Sequence, residues 1–386
     1  VFLAVLMAVA ALAVAGYFIA RAVAQSLIQS EIQTRSDWNI DTGDVADREA
    51  AQQVTVYTAP VEASIDVIQI VPDEYEEEGF TYYDEDVQDR LAYTLLDLTR
   101  KESYTLESPL AVLNPFGTGS NGLYMYFRTD APTRVTYTVH VEDESIPDYT
   151  ATVNNQGADA DGYSRLQEFL LIGLVPGMEN TVTLSAETRQ QGTAYTFTID
   201  MPESASGYAS QLEVEDGGAD VGQLSDGLFY AMGFGDYYGY TFFFDNEGVL
   251  RYEMVLEGYH SDRFLWDDDG SLITCVGSRK VARINRFGQV AQVYGLGQYE
   301  LHHDINWGPE GTILALATDT EGETVEDQVL KIDLTTGEVS HVVDFTQVLQ
   351  SYFEETRPVQ ATDPFGLWSE GEWDWLHLNS LQYVEE

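Results

Sequence analysis

The chain has 386 residues, enough for two or three domains with sizeable cores. It carries 65 acidic and 18 basic residues, a net charge of -47, and this field repels nucleic acid and anionic membrane surfaces, so neither is an expected partner. A hydrophobic content of 44% with 24 tyrosines predicts folded β-rich domains rather than a disordered acidic chain. The single cysteine, Cys275, excludes an intrachain disulfide.

The first twenty residues contain no charged side chain before Arg21. Twenty helical residues rise about 30 Å, the thickness of a bilayer core, so residues 1–24 are predicted to be a transmembrane signal anchor. A cleaved signal peptide ending at Ala24 is the alternative. Either way, the acidic bulk is expected outside the cytoplasm, membrane-attached through the helix or, after cleavage, secreted or periplasmic.

Residues 25–104 are predicted to form an acidic tether and linker, with a strand at 64–71 and helical spacing of apolar residues at 87–98. Residues 105–205 are predicted to form a β-sandwich. Strict alternation at 134–141 places Val135, Tyr137 and Val139 on a buried face and His140 on the solvent side.

An internal repeat begins near residue 217. Polar glycine turns at 244–249, 284–290 and 332–339 lie between apolar strands, and Trp266 and Trp307 open two further copies forty-one residues apart. This period is typical of four-stranded propeller blades, so residues 217–386 are predicted to be a partial β-propeller. Roughly 170 residues suffice for four blades at most, and the chain is therefore expected to be a C-terminal truncation. The fold class is all-β.

Two histidine strings in the repeat are the candidate site. His302, His303 and Asp304 form one, and His377 lies in the other, Trp-Leu-His-Leu-Asn-Ser at 375–380. Adjacent strand residues point to opposite faces, so only one of His302 and His303 should face the site. One interpretation makes His302, His303, Asp304 and His377 metal ligands. The same face argument counts against it, so neither a metal nor a cofactor is expected.

Seven strings occur in order along the chain: LNPFG (113–117), APTRV (131–135), GLVP (173–176), NTVTL (180–184), HHDI (302–305), VDF (343–345) and WLHLNS (375–380). Through them the sequence from about residue 110 onward resembles the bacterial aryl-sulfate sulfotransferases. The resemblance implies a six-bladed propeller that moves a sulfuryl group from a phenolic sulfate ester to a phenol, without a nucleotide sulfate, through a sulfated histidine. It makes His303 and His377 the sulfuryl-binding catalytic residues.

By the same resemblance Asn379 would be a neutral donor. The residues themselves make His302 a lower-ranked substrate contact, because only one of the adjacent histidines should face the site. Trp375, like Trp373, either stacks on a phenol ring or packs within a blade. Trp266 and Trp307 are expected in the blade core. The expected partners are the sulfate donor and the phenol acceptor, with a homodimer also considered.

One departure from the family concerns the nucleophile. In the family, the nucleophilic histidine and a sulfate-binding arginine lie downstream of the His-x-Asn-Ser string, and here six residues follow Ser380. The 386-residue chain alone is therefore expected to be inactive as a transferase. The alternative function is a membrane-tethered, non-enzymatic propeller that binds a ligand or a protein.

Overall fold

The computed structural model describes residues 54–213, 227–234, 238–257, 263–356 and 374–385. They all fall in one compact unit, Gln53–Glu386. Among these residues, no helix is both long and apolar enough to cross a bilayer. The predicted membrane segment at 1–24 lies outside the described residues.

The first part of the described chain is one eight-stranded sheet that folds over itself. Its order is β1-β2-β3-β4-β7-β8, with β5 and β6 also paired to β4, and only β2–β3 is parallel among its pairs. The strands are β1 (Val54–Thr58), β2 (Val67–Pro72), β3 (Leu110–Leu113), β4 (Leu123–His140), β5 (Tyr149–Thr152), β6 (Ser164–Leu171), β7 (Glu179–Glu187) and β8 (Gly192–Asp200).

The long strand β4 joins the two halves of this sheet. Its register shifts between Arg128 and Thr133, around Pro132, so its first part pairs with β6 and its second part with β5 and β7. Proline has no backbone N–H to donate to a neighbouring strand, so it is tolerated where the regular pairing is interrupted by a register shift. The predicted alternation is confirmed, because Val135, Tyr137 and Val139 are buried and His140 is exposed. The core lies between the two halves of the sheet.

Helix α1 (Glu85–Lys101) confirms the predicted helical spacing at 87–98. Asp84 caps it by accepting from the backbone N–H groups of residues 86 and 87. The helix lies on β15 (Val290–Gly295), where Glu85 and Gln88 accept from the backbone N–H groups of Val293 and Val290. These bonds satisfy donors on an edge strand that would otherwise be open.

Three antiparallel sheets follow one another along the chain. The first contains β9 (Phe229–Phe234), β10 (Gly239–Phe244) and β11 (Leu250–Leu256); the second β12 (Phe264–Trp266), β13 (Leu272–Gly277), β14 (Lys280–Ile284) and β15; the third β16 (Tyr299–Trp307), β17 (Thr312–Asp319), β18 (Gln328–Asp333) and β19 (Val339–Asp344). Two short helices, α2 (Phe345–Val348) and α3 (Gln350–Thr356), come after β19.

The repeated glycine turns are equivalent hairpins joining the last two strands of each sheet. Asp245, Asn285 and Asp333 occupy the same place, and the Oδ1 atom of each accepts two backbone N–H groups of its own turn. Gly248, Gly288 and Gly337 have φ of 75°, 86° and 73° there. Glycine adopts this left-handed backbone without steric cost, which explains the repeated pattern.

Consecutive sheets pack face to face, as propeller blades do. One core cluster joins the first two sheets and another joins the second to the third. The first strands β12 and β16 contact each other. Cys275 is buried in β13, as predicted, but the expected core positions of Trp266 and Trp307 are wrong. Their side chains are 63% and 38% exposed, because each is the last residue of its strand, where a turn begins.

Candidate functional site

His303 lies in an irregular part of β16. Leu301 pairs with Ala317 and Ile305 with Ala315, so residues 302–304 stand opposite a single residue of β17. The backbone of His303 has φ of 54°, a left-handed conformation that costs an L-residue about 1–2 kcal/mol. The bulge brings a ring nitrogen of each of His302 and His303 within 4.8 Å of the Glu326 carboxylate, with His302 buried and His303 partly exposed.

Residues 374–385 return to β16 and are held there by polar side chains. The backbone N–H of Leu381 donates to Asp304 Oδ2 at 2.7 Å, and the Asn306 amide donates to the Leu381 carbonyl at 2.6 Å. Asp304 is 5% exposed, and its Oδ1 pairs with Arg263 Nε at 3.0 Å. Asp304 therefore joins the two histidine strings as a structural clamp.

Trp375 anchors the same segment. Its indole N–H donates to Asp327 Oδ2 at 2.7 Å, and its ring packs against Tyr352 and Phe353 with centroid distances of 5.9 and 5.0 Å. The residue is only 8% exposed. This placement favours an anchoring role over stacking on a phenol.

His377 faces His303 across the joined strings. The two ring centroids are 5.2 Å apart, and the backbone of His377 is also left-handed, with φ of 47°. Its Nδ1 lies 2.7 Å from Glu326 Oε2 and 2.6 Å from Asp374 Oδ2. The side chains of His303 and His377 are 34% and 47% exposed, so both rings reach the surface of the site.

Glu326 is the site residue that sequence reasoning missed. It is 1% exposed, has φ of 60°, and places Oε2 3.6 Å from His303 Nε2. With His303 and His377 it accounts for three of the four non-glycine residues with positive φ in the described ranges, the fourth being Asn114. Such strain clusters at functional sites. The chain has 65 acidic residues, so no local signal distinguishes this one.

The imidazole of His377 faces two carboxyl groups, those of Glu326 and Asp374. The pKa of Glu326 is raised to about 7, mainly by burial; the charge of His377 lowers it and repulsion from Asp374 raises it. A single ring N–H cannot be donated fully to two acceptors. A proton on Glu326 near neutral pH relieves the repulsion between the carboxylates around His377 Nδ1.

The remaining predicted residues lie around this pair. His302 is buried beside His303, with ring centroids 5.2 Å apart and nearly perpendicular planes. Asn379 is exposed, and its amide donates to the His377 carbonyl at 3.1 Å. The structure therefore brings His302, His303 and His377 together around Glu326, with Asn379 at the rim.

Two sets of side chains could hold a metal ion: His302, His303 and Glu326, and Glu326, Asp374 and His377, with ligand atoms within 4.8 Å in each set. Imidazole and carboxylate are donors that zinc uses. However, two ligands of one tetrahedral zinc ion at about 2.0 Å stand roughly 3.3 Å apart. The contacts of 2.6 and 2.7 Å at His377 Nδ1 are hydrogen-bond distances, so the second set would have to open to bind a metal.

Comparison with solved structures gives remote likenesses. The chain is similar to the crystal structure of Porphyromonas gingivalis dipeptidyl peptidase 4, with 12% identity over 57% of this chain and 28% of that chain and a TM-score of 0.23. It is similar to the structure of the Dos1 propeller, with 11% identity over 58% of this chain and 56% of that chain and a TM-score of 0.24. The chain thus spans 28% and 56% of these two structures.

Comparison with protein families is more informative. No curated protein matches the chain. The family model described as arylsulfotransferase (ASST) matches residues 213–386, which include both histidine strings. The model described as the arylsulfotransferase Ig-like domain matches residues 110–202, the greater part of the first sheet. Together the two models cover well over half of the chain, so the chain belongs to the arylsulfotransferase family.

Proposed function

We propose that His303 and His377 bind the sulfuryl group of a phenolic sulfate ester during its transfer to a phenol. The observation that carries the proposal is the meeting of two histidines from separate strings, with ring centroids 5.2 Å apart and both backbones left-handed. Family membership supports sulfotransfer as the reaction class. A phenolic sulfate as donor and a phenol as acceptor follow the resemblance of the strings at 302–305 and 375–380.

The chemistry suits imidazole. A sulfuryl group in transfer spreads negative charge over three oxygens, as a phosphoryl group does, so positioned donors supply most of the catalysis. A protonated imidazole donates to such an oxygen and can protonate a leaving phenolate, whose pKa is about 10. Asn379 contributes a neutral amide donor, since its NH₂ has a second hydrogen besides the one donated to the His377 carbonyl.

The nucleophile is part of the same proposal. By resemblance, a further histidine beyond the His-x-Asn-Ser string attacks sulfur, and His303 and His377 supply the sulfuryl-binding side of the site. In a protein that carries this further histidine, release of 4-nitrophenolate from 4-nitrophenyl sulfate, with phenol as acceptor, measures turnover. Turnover should fall by orders of magnitude in His303→Ala and in His377→Ala, and unchanged turnover in both would contradict the assignment.

Binding is the direct test of the histidine roles. Titration calorimetry with 4-nitrophenyl sulfate should show affinity that falls at least about tenfold in His303→Ala and in His377→Ala, the loss of one charge-assisted hydrogen bond. His140→Ala is the matched control, because His140 is exposed and paired with Asp148 in the first sheet. Equal affinity in all four proteins would remove both histidines from the site.

The setting of the protein is proposed on the sequence alone. The uncharged run at residues 1–20 supports a location outside the cytoplasm with membrane attachment. The domain boundaries are also proposed from the sequence: a membrane segment at 1–24, a linker region at 25–104, a β-sandwich at 105–205 and a partial propeller at 217–386. A reporter-enzyme fusion at the C-terminus tests the location: activity of a reporter that works only in the cytoplasm would contradict it.

A further inference from the structure

His377 makes a hydrogen bond to Asp374, which lies three residues earlier in the chain. The two atoms that it joins, His377 Nδ1 and Asp374 Oδ2, are 2.6 Å apart. Glu326 Oε2 lies 2.7 Å from the same nitrogen, but among the described residues this oxygen has no hydrogen-bond partner. A hydrogen bond depends on the direction of the N–H as well as on distance. The Nδ1–H of His377 is therefore directed at Asp374.

The loop that carries both residues is fixed by bonds to the body of the molecule. Trp375, which directly follows Asp374, is 8% exposed and donates its indole N–H to a buried aspartate at 2.7 Å. Leu378, which directly follows His377, donates its backbone N–H to the Glu326 carbonyl at 3.4 Å. Between these two bonds the backbone of His377 is left-handed, with φ of 47°. The loop is thus held in the shape in which the two side chains meet.

A carboxylate at Nδ1 determines what the other ring nitrogen of a histidine can do. When Nδ1–H is donated to a carboxylate, the tautomer and the ring orientation are fixed, and Nε2 is left as the basic nitrogen. The side chain of His377 is 47% exposed and that of Asp374 is 22% exposed. The ring therefore reaches the surface of the site, and the carboxylate that holds it is less accessible. Nε2 is the nitrogen left for a ligand.

The geometry points to Asp374 as the positioning residue of His377, whose Nδ1 it holds so that Nε2 meets the sulfuryl oxygens. This inference rests on the proposed function for the identity of the ligand. Asp374 acts through the ring, so it orients a histidine and does not itself bind the sulfuryl group. In the described part of the chain, the titratable groups around this ring are Asp374 and Glu326 at Nδ1, and His303, whose ring centroid is 5.2 Å away.

The sign of the change in affinity separates positioning from simple charge. A carboxylate near a bound anion repels it, so removal of the charge alone would strengthen binding. If Asp374 positions the ring, Asp374→Ala instead weakens binding about tenfold, the smaller end of the loss that removal of a histidine's carboxylate partner causes. Asp374→Asn keeps an acceptor for Nδ1–H, so it should weaken binding less than Asp374→Ala does.

The first measurement needs no ligand. In NMR spectra of the 386-residue chain with ¹⁵N-labelled histidine rings, His377 should carry a proton on Nδ1, and this proton should resonate far downfield, as carboxylate-bonded imidazole protons do. Loss of the signal in His377→Asn assigns it. The signal should disappear in Asp374→Ala, move upfield in Asp374→Asn and persist in Glu326→Gln. An unchanged signal in Asp374→Ala, or its loss in Glu326→Gln alone, would overturn the inference.

His140 and Asp148 provide the matched control. They form a second histidine–aspartate contact, with Nδ1 and Oδ1 2.7 Å apart and both side chains exposed, in the first sheet. Asp148→Ala should alter the His140 signal and leave both the His377 signal and the affinity for 4-nitrophenyl sulfate as in the wild type. A change in the His377 signal as large as that in Asp374→Ala would show a general effect on the fold and would overturn the inference.

The second measurement is calorimetry with 4-nitrophenyl sulfate on the same proteins, with near-ultraviolet circular dichroism to confirm that each is folded. Weaker binding in Asp374→Ala, partly restored in Asp374→Asn, supports positioning. Unchanged or tighter binding in Asp374→Ala overturns it. A wild-type chain that binds no aryl sulfate contradicts the proposed function, and the NMR signals then decide alone whether Asp374 orients His377.

Discussion

Removing the Asp304 carboxylate should separate the two histidine strings. In Asp304→Ala, the Leu381 N–H loses a buried, charge-assisted partner at 2.7 Å, a loss of about 1.5–3 kcal/mol. The pair with Arg263 adds roughly 0.2–1 kcal/mol, because the arginine side chain is 39% exposed and screened by solvent. The free energy of unfolding should therefore fall by about 2–4 kcal/mol.

Urea unfolding at pH 7 measures this loss, and hydrogen exchange of residues 374–385 shows whether the returning segment opens first. Two further variants separate the contribution of the Leu381 hydrogen bond from that of the Arg263 ion pair. Asp304→Asn keeps an acceptor for Leu381, and Arg263→Gln removes the ion pair, so each should lower the free energy of unfolding by less than Asp304→Ala does. If Asp304→Ala loses under about 0.5 kcal/mol and the segment stays protected, Asp304 is not the clamp.

Three further predictions concern stability. His303→Gly should be more stable than His303→Ala by about 1 kcal/mol in urea unfolding, because glycine accepts φ of 54° without strain; a more stable alanine variant would contradict the left-handed backbone. Trp375→Phe should lower the free energy of unfolding by about 1–3 kcal/mol, because Asp327 loses a buried hydrogen-bond donor. Trp266→Phe should leave it almost unchanged, because Trp266 is exposed. Equal losses in the two variants would contradict the anchoring role of Trp375. The pKa of Glu326 is raised from 4.5 to about 7, so its contribution to stability is present below pH 4.5 and lost as pH rises through 7. Between pH 5 and 8 the free energy of unfolding, measured in urea, should therefore fall by about 1–2 kcal/mol more in the wild type than in Glu326→Gln, after allowance for solvent screening. Parallel pH profiles of the two proteins would contradict the raised pKa of Glu326.

The hairpin turns are predictable because their chemistry is local. Asp245, Asn285 and Asp333 bond to their own turns, and the following glycines take φ values open to glycine, so a few adjacent residues determine the structure. The same locality explains the success at 134–141. The exposure of Trp266 was not predictable from the sequence. A tryptophan that recurs at the same place in two copies of a repeat looks like a core residue, and the sequence does not show that this place is the end of a strand.

The site was only partly predictable because it depends on contacts distant in sequence. The strings containing His303 and His377 are recognisable, and their convergence follows from the repeat. The bulge at 302–304 depends on register with β17, so strand alternation alone does not show that both rings approach Glu326. Glu326 becomes distinctive only through its burial and its distance to two rings, neither of which an acidic sequence reveals.

The most direct measurement is a crystal structure of the 386-residue chain soaked with 4-nitrophenyl sulfate. The proposed function predicts sulfuryl oxygens within about 2.7–3.1 Å of ring nitrogens of His303 and His377. Sulfate ester bound only elsewhere, or a metal ion coordinated by His302, His303 and Glu326 in its place, would contradict it.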